Sequence, residues 1–364
     1  MIKTQSTVLN KIYVTKLFIL IAIIFLLIAL TGCGSAVSMK GSLFGTGKTA
    51  DNVKIQDYRK GTEGIKLEFV ESMPPEKVLV GDMFNFGIRL ENKGAYDVDL
   101  AEGSLFLNFD STMFLIEEDT RTQEFELLGR SAFVSDGEFT EIYYPALSRC
   151  FQQLKGNQKK NFSQTVVAIA CYAYETHASA DICFDPNSNK QSAKNEEKVC
   201  TQSAVSLSGG QGAPIAVTQI SPEIVPYGNK IRAQIDIDLS IANSQGEVYL
   251  NEFIAECDDP KIQNKIFVEA EISGQNMHCK SLVNTFNEKP GTAVFRSGKS
   301  KIRCYTELNK EDGAFITPVT VTAKYNYKDK VHHKLMIAPP IGGVSDAVCT
   351  GLESEFKASL SSLE

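Results

Sequence analysis

The feature that most constrains this chain is a strand pattern that occurs twice. Phe84, Phe86, Ile88 and Leu90 alternate with Asn85, Gly87, Arg89 and Glu91, and the run stops at Asn92, Lys93 and Gly94. Successive side chains on a strand point to opposite faces, so this period of two predicts a half-buried antiparallel strand entering a turn. Further on, Ile231, Ala233, Ile235, Ile237, Leu239 and Ile241 alternate with Arg232, Gln234, Asp236, Asp238 and Ser240, then halt at 243–246. A second strand is repeated as well: Val166, Ala168, Ala170, Tyr172 and Tyr174 have counterparts in Val319, Val321, Ala323, Tyr325 and Tyr327. The two Ala-x-Tyr-x-Tyr strings are 153 positions apart, Asn92 and Asn243 are 151 apart, and Gly81 and Gly228 are 147 apart. Three landmarks in one order at nearly one offset indicate a duplication.

Each copy carries several short strands between turn-forming residues and no long helical period, for which two packed antiparallel sheets are the economical solution. The fold class is therefore all-β, with one sandwich over 64–205 and a second over 215–340. Between them 206–214, rich in Ser and Gly and ending in Pro214, has the composition of a flexible linker. In the tail, 341–364, Val348, Leu352, Phe356, Leu360 and Leu363 recur every three to four residues and predict a short amphipathic helix. Such a helix either docks on the second domain, with Cys349 tied to it, or meets a partner.

The start of the first copy, Val80, Gly81 and Asp82, then the alternating strand, then Glu91, Asn92, Lys93 and Gly94, resembles CARDB-type and related immunoglobulin-like modules of prokaryotic surface proteins. The resemblance covers about a quarter of each copy and implies tandem immunoglobulin-like sandwiches, a statement about fold far more than about function. The segment from Phe151 to Phe162 is longer than a minimal module allows.

The N-terminus carries an address. Lys3, Lys11 and Lys16 precede an unbroken apolar run of fourteen residues, Leu17 to Leu30, which falls short of the ~20 that span a bilayer as a helix. Leu30, Thr31, Gly32 and Cys33 follow and resemble the lipobox of prokaryotic lipoproteins. The resemblance implies cleavage of 1–32, lipidation of the Cys33 sulfur and a mature chain of 332 residues, tethered outside the cell membrane through a spacer over 33–63.

Cys150, Cys171, Cys183, Cys200, Cys257, Cys279, Cys304 and Cys349 remain, an even set with no CxxC spacing of a zinc ribbon or thioredoxin-like site. They are expected to pair as up to four disulfides in an oxidising exterior, Cys183 and Cys200 closing one loop. The formal charge of −7 becomes −10 without the three N-terminal lysines, which argues against nucleic acid as a partner.

Motifs that could carry chemistry fail on context. Leu207 to Gln211 spell the signature loop of ABC-transporter ATPases, and Gly47, Lys48 and Thr49 echo a phosphate-binding loop, but Ser42 stands where that loop needs glycine. No nucleotide is expected. Asp185, Asn187, Asn189 and Glu196 take positions one, three, five and twelve of a calcium loop, yet Lys190 occupies the position of the glycine that makes its turn. They form a weak calcium candidate, and no metal site or cofactor is expected. His177 is placed in a turn after the tyrosine strand. His332 and His333, as neighbours on a strand, face opposite sides. Tyr172, Tyr174, Tyr325 and Tyr327 share a face with the apolar residues of their strands and are expected in the core. Asn161, Phe162 and Ser163 form one N-glycosylation acceptor triplet, which marks an exposed segment.

The expectation is a non-catalytic, lipid-anchored surface protein of the cell envelope with a structural, adhesive or assembly role and a protein partner there. A ligand-capturing lipoprotein, with its site around Gly209 to Gly212, is the first alternative, and a surface hydrolase is the second.

Overall fold

The computed structural model describes residues 58–117, 121–150, 161–186, 199–242, 246–250, 257–282, 290–309, 314–339 and 346–360. The first copy supplies β1 (Ile65–Phe69), β2 (Lys77–Leu79), β3 (Met83–Asn92), β4 (Gly103–Asn108), β5 (Phe114–Leu115), β6 (Thr122–Glu124), β7 (Phe139–Ser148) and β8 (Phe162–Phe184). After β9 (Val205–Ser206) the second supplies β10 (Ile215–Tyr227), β11 (Lys230–Ile241), β12 (Glu247–Leu250), β13 (Lys265–Ile272), β14 (Gln275–Asn276), β15 (His278–Ser281), β16 (Thr292–Val294), β17 (Lys299–Asn309) and β18 (Phe315–Ala338). A helix, α1 (Asp346–Leu360), closes the described chain. The all-β expectation holds.

Both alternating strands lie where the period of two puts them. β3 runs between β1 and β7 in a four-stranded outer sheet, β1-β3-β7-β5, and β11 runs between β10 and β17 in a five-stranded outer sheet, β15-β17-β11-β10-β9. Their apolar faces are sealed: Phe86, Ile88 and Leu90 on β3, and Ile235, Ile237 and Leu239 on β11, are buried. Burying each such side chain contributes roughly 1.5–3 kcal/mol, enough to fix the register against a one-residue slip.

The tyrosine strands do something that periodicity alone does not predict. β8 and β18 pair with each other, antiparallel, from Phe162↔Ile337 to Phe184↔Phe315. Through this pairing the two copies share one nine-stranded sheet, with the path β14-β13-β18-β8-β4-β6 and with β12, β16 and β2 attached to it. On β8 every even-numbered residue from Val166 to Phe184 is buried. On β18 the odd-numbered residues Val319 to Tyr327, and then Leu335 and Ile337, are buried on the same face. The two outer sheets lie side by side against that one face, and the buried apolar residues of both copies form one continuous cluster.

Further links cross between the copies. Cys171 on β8 is bonded to Cys257 ahead of β13, on the opposite face of the shared sheet, where Tyr249 and Ile262 pack around the bridge. β2 of the first copy pairs in parallel with the end of β18. Two other bridges stay within a half: Cys183–Cys200, and Cys279–Cys304 between facing residues of β15 and β17. Cys150 is also disulfide-bonded, and the side chain of Cys349 lies outside the described residues.

Three sequence expectations are corrected. Helix α1 forms, but it docks on the first copy rather than the second. Glu353 accepts two hydrogen bonds from the Arg149 guanidinium, at 2.9 and 3.2 Å, and Leu352 lies against Gly81, where a side chain would collide with it. His177 is not in a turn, because β8 continues ten residues beyond Tyr174. Pairing with β18 along its whole length bonds one edge of that extension's backbone. The glycine-rich segment 206–214 is packed instead of loose: Gln211 to Pro214 are buried, and the Gln211 side chain bonds both the N–H and the carbonyl of Val217.

Candidate functional site

The duplication is most exposed to chemistry where the halves meet. Tyr172 and Tyr327 face each other across the β8–β18 pair, as do Tyr174 and Tyr325, and their rings form a tilted quartet with centroids 5.7 to 6.5 Å apart. All four are buried, as their face predicts. A buried phenol needs a partner for its hydroxyl, and the two copies meet this need in parallel ways. The Ile65 N–H donates to the Tyr172 hydroxyl at 3.0 Å, and the Ile215 N–H donates to the Tyr325 hydroxyl at 3.3 Å. Tyr174 reaches the turn after β3. Its hydroxyl donates to Asn92 Oδ1 at 3.2 Å, while Asn92 Nδ2 holds the carbonyls of Tyr96 and Leu127 at 2.7 and 3.1 Å. This gives the Asn-x-Gly ending of the alternating strand a cause. Asparagine ties the turn together, and a Cβ on Gly94 would overlap the Tyr174 phenol oxygen. In the second copy Gly246 makes the same allowance for Tyr327.

The segments that lead into the two copies also meet at this seam. The Gly61 N–H donates to the Gly209 carbonyl at 2.7 Å, the Gly212 N–H donates to the Gly61 carbonyl at 2.8 Å, and the Ala95 N–H donates to the Gly212 carbonyl at 2.7 Å. A segment so bonded is part of the fold, whatever its composition suggests.

The approximate two-fold breaks at one position. Thr176, two residues after Tyr174, donates to the Ile215 carbonyl at 2.9 Å and accepts from the Tyr325 hydroxyl at 2.9 Å, which closes a ring of bonds around Ile215. Its counterpart, 153 positions on, is Asp329. Asp329 accepts a bond from the N–H of Lys330 at 2.8 Å, and burial holds its carboxyl above the ordinary value. Around it lies a cleft of about 380 Å³, lined by 62–67, Tyr172, Pro214, Ala242, Tyr327 and Asp329. The Tyr327 hydroxyl is buried and has no hydrogen-bond partner among the described residues. Burial also raises the Tyr327 and Tyr172 phenols well above their ordinary range, so both are neutral hydrogen-bonding groups at physiological pH.

A second cleft, about 360 Å³, is lined by Arg59, 177–179, Leu207, Ser208, Gly210, Gln211 and 320–322. Here His177 Nε2 lies 3.2 Å from Glu175 Oε2, and its Nδ1 lies 3.3 Å from Thr322 Oγ1. Burial is the main cause that lowers the His177 pKa, with Arg59 and Lys324 adding to it and Glu175 opposing.

The residues singled out from sequence fare unevenly. Cys33, Asn187, Asn189 and Glu196 lie outside the described residues, so the calcium candidate keeps only Asp185, which is buried, with its N–H donating to Gln202 Oε1 at 3.2 Å. Among the described residues no group of three or more His, Cys, Asp or Glu could hold a metal ion. Asn161 is exposed, with its amide 3.4 Å from Met336 Sδ. His332 is exposed, and His333 packs against the Phe69 ring at 5.1 Å, burial lowering its pKa. Asp329 was missed by motif reading. Its signal lay in the repeat, as the place where a buried-face threonine of one copy becomes an aspartate in the other.

No family model matches the chain, and no curated protein does. Among solved structures, the serine-rich repeat adhesion glycoprotein of Streptococcus agalactiae is 9% identical over 74% of this chain and 89% of its own, with a TM-score of 0.16. The partial N-terminal region of an enterococcal surface protein is 7% identical over 74% and 87%, with a TM-score of 0.16, and the B domain of a biofilm-associated protein is 9% identical over 74% and 73%, with a TM-score of 0.12. Likenesses this low carry no argument, and the chain is placed by its own architecture: an all-β protein of two duplicated halves that share a central sheet.

Proposed function

We propose that this chain is a lipid-anchored, non-catalytic protein of the outer cell-envelope surface, in which Cys33 supplies the anchor and the fused pair of sandwiches serves a structural, adhesive or assembly role toward a protein partner. The observation that carries this reading is the way the halves are locked together. A shared sheet, one continuous apolar core and the Cys171–Cys257 bridge between the copies make a stiff body suited to holding surface loops at fixed separation. Disulfides persist in oxidising compartments, which supports export. Protein isolated from intact envelopes and mapped by non-reducing mass spectrometry is expected to carry Cys171–Cys257, Cys183–Cys200 and Cys279–Cys304, and to carry acyl chains on Cys33. Free thiols at these positions in protein recovered from the cytoplasm would overturn the reading.

A second reading, capture of a small ligand, is supported by the cleft bounded by Ser208, Gly210, Gln211, Arg59 and His177. A capture protein gains thermal stability on binding, so titration with envelope sugars, peptides and metals separates the two.

A further inference from the structure

We infer that the turn over 131–135 is a second membrane contact, in which Phe133 and Val134 enter the interface of the lipid bilayer that holds the anchor. The inference rests on the anchored surface role proposed above and gives one loop of the body its partner. It begins from exposure. Phe133 is 98% exposed, and Leu128, Val134 and Phe139, at the base and tip of the same loop, are each more than half exposed. Apolar side chains scattered singly over a surface need no account, but several gathered on one loop mark a contact site.

The loop is built to hold its tip out. At the base the Glu138 N–H donates to the Leu128 carbonyl at 2.9 Å, and the Leu128 N–H donates to Glu138 Oε2 at 3.0 Å. At the tip the Ser131 N–H donates to the Val134 carbonyl at 2.8 Å, while Ser131 Oγ accepts from the N–H groups of Phe133 and Val134 at 3.3 and 3.1 Å. A turn that bonds its own backbone groups in this way loses less when it leaves water for lipid. Residues 131–135 carry no charge. Beside them the charges are mixed, Arg59, Lys60 and Arg130 against Asp136 and Glu138, so the attraction is apolar rather than electrostatic.

The membrane is named as the occupant by the place where the chain enters the body. The described residues begin at Tyr58, 25 positions after Cys33. Two residues further on, the Arg130 guanidinium donates to the Lys60 carbonyl, and the Arg130 N–H donates to the Gly94 carbonyl at 2.7 Å. The tip thus starts one residue beyond a side chain that grips the entering chain, and a tether drawn to lipid brings this loop with it. An anchor on a spacer keeps the body near the bilayer without choosing the face it turns there. An inserted tip makes that choice.

The chain contains no tryptophan, so one substitution supplies a fluorescent reporter without background. Full-length Phe133→Trp is purified in detergent and reconstituted into phosphatidylcholine vesicles, with and without bromine on the acyl chains. Full-length Tyr227→Trp is the control, because Tyr227 is also about half exposed but ends β10, twelve residues or roughly 40 Å along the strand from Ile215 at the seam. Brominated lipid is expected to quench Phe133→Trp at least about twofold more than Tyr227→Trp, and adding Val134→Asp should remove most of that excess. All three positions are exposed, so circular dichroism should match the parent. Protein that leaves no vesicle-bound fraction, a Phe133→Trp indole quenched no more than the Tyr227→Trp one, or quenching that Val134→Asp leaves intact would each overturn the inference. The second of these outcomes would assign the tip to a protein partner instead. Mass spectrometry of the same sample reads the acyl chain on Cys33 separately: its absence counts against the anchor, and an unquenched tip on acylated protein counts against the loop alone.

Discussion

At the scale of single residues, the duplication lets two chemically identical side chains be compared in one molecule. Tyr325 and Tyr327 are both buried on β18, but among the described residues only the first has a bonded hydroxyl. Tyr325→Phe leaves the Ile215 N–H and the Thr176 hydroxyl short of a partner and should cost roughly 1–3 kcal/mol in urea denaturation, whereas Tyr327→Phe should cost less than about 0.5 kcal/mol or stabilise slightly. Equal losses at both positions would mean that Tyr327 has a partner in solution. Asp329 leads to a pH prediction. Its folded pKa is raised by burial from an unfolded value near 3.8, so below that value the carboxyl is protonated in both states and burial costs nothing extra. Between that value and the raised folded pKa only the unfolded state ionises, so the folded state loses ground as pH rises across this window. The advantage in Tm of Asp329→Thr over the parent should therefore widen from acidic to neutral pH, and a constant or shrinking difference would contradict the buried-carboxyl account. This residue was within reach of the sequence only through the register of the repeat, since no motif contains it. The turn residues Asn92 and Gly94 stood out in the sequence as a strand ending, but the demand that Tyr174 places on them was not legible because its bond to Asn92 spans 82 residues.

At the scale of elements, what could be read was what local chemistry determines. The alternation in β3 and β11 names the buried face of each, and the spacing of apolar residues in the tail names a helix. What could not be read was partnership. β8 and β18 have long sealed faces, and a sealed face is served equally well by separate sandwiches or by a shared sheet, since both bury the same alternate residues. The helix carries the same lesson, because its amphipathic stripe is visible in the sequence while its dock depends on Arg149 and Gly81, which lie some 200 residues or more away. Its attachment can be apportioned. Phe356 is buried, and Phe356→Ala should cost about 3 kcal/mol of docking and speed amide exchange throughout α1, while Glu353→Gln, which loses only a half-exposed ion pair, should cost no more than about 1 kcal/mol. Exchange in α1 unchanged by Phe356→Ala would show that the helix is held by other contacts.

At the scale of the whole molecule, the question is whether two halves that arose as copies still unfold as two. Separate sandwiches joined by a linker would each keep their own core, and a cavity made in one would leave the other's stability untouched. Here the surfaces that each half would need to seal for itself are the same surfaces that β8 and β18 lend to each other. The first outer sheet lies over strand segments from both copies, as Phe69 of β1 against His333 of β18 shows, and Thr176 of the first copy completes the bonds of Tyr325 in the second. Neither half could be withdrawn without exposing the tyrosine quartet and breaking the long β8–β18 ladder, a loss far larger than the net stability of an ordinary domain. The halves should therefore share one cooperative transition. Ile237→Ala, in the core of the second outer sheet, should cost roughly 2–5 kcal/mol and should lower amide protection in β3 of the first outer sheet by nearly the same amount as in β11 itself. Native-state hydrogen exchange with the disulfides intact measures both strands in one experiment. Protection in β3 that holds at the parental level while β11 falls would mean that the shared sheet joins the copies without coupling them.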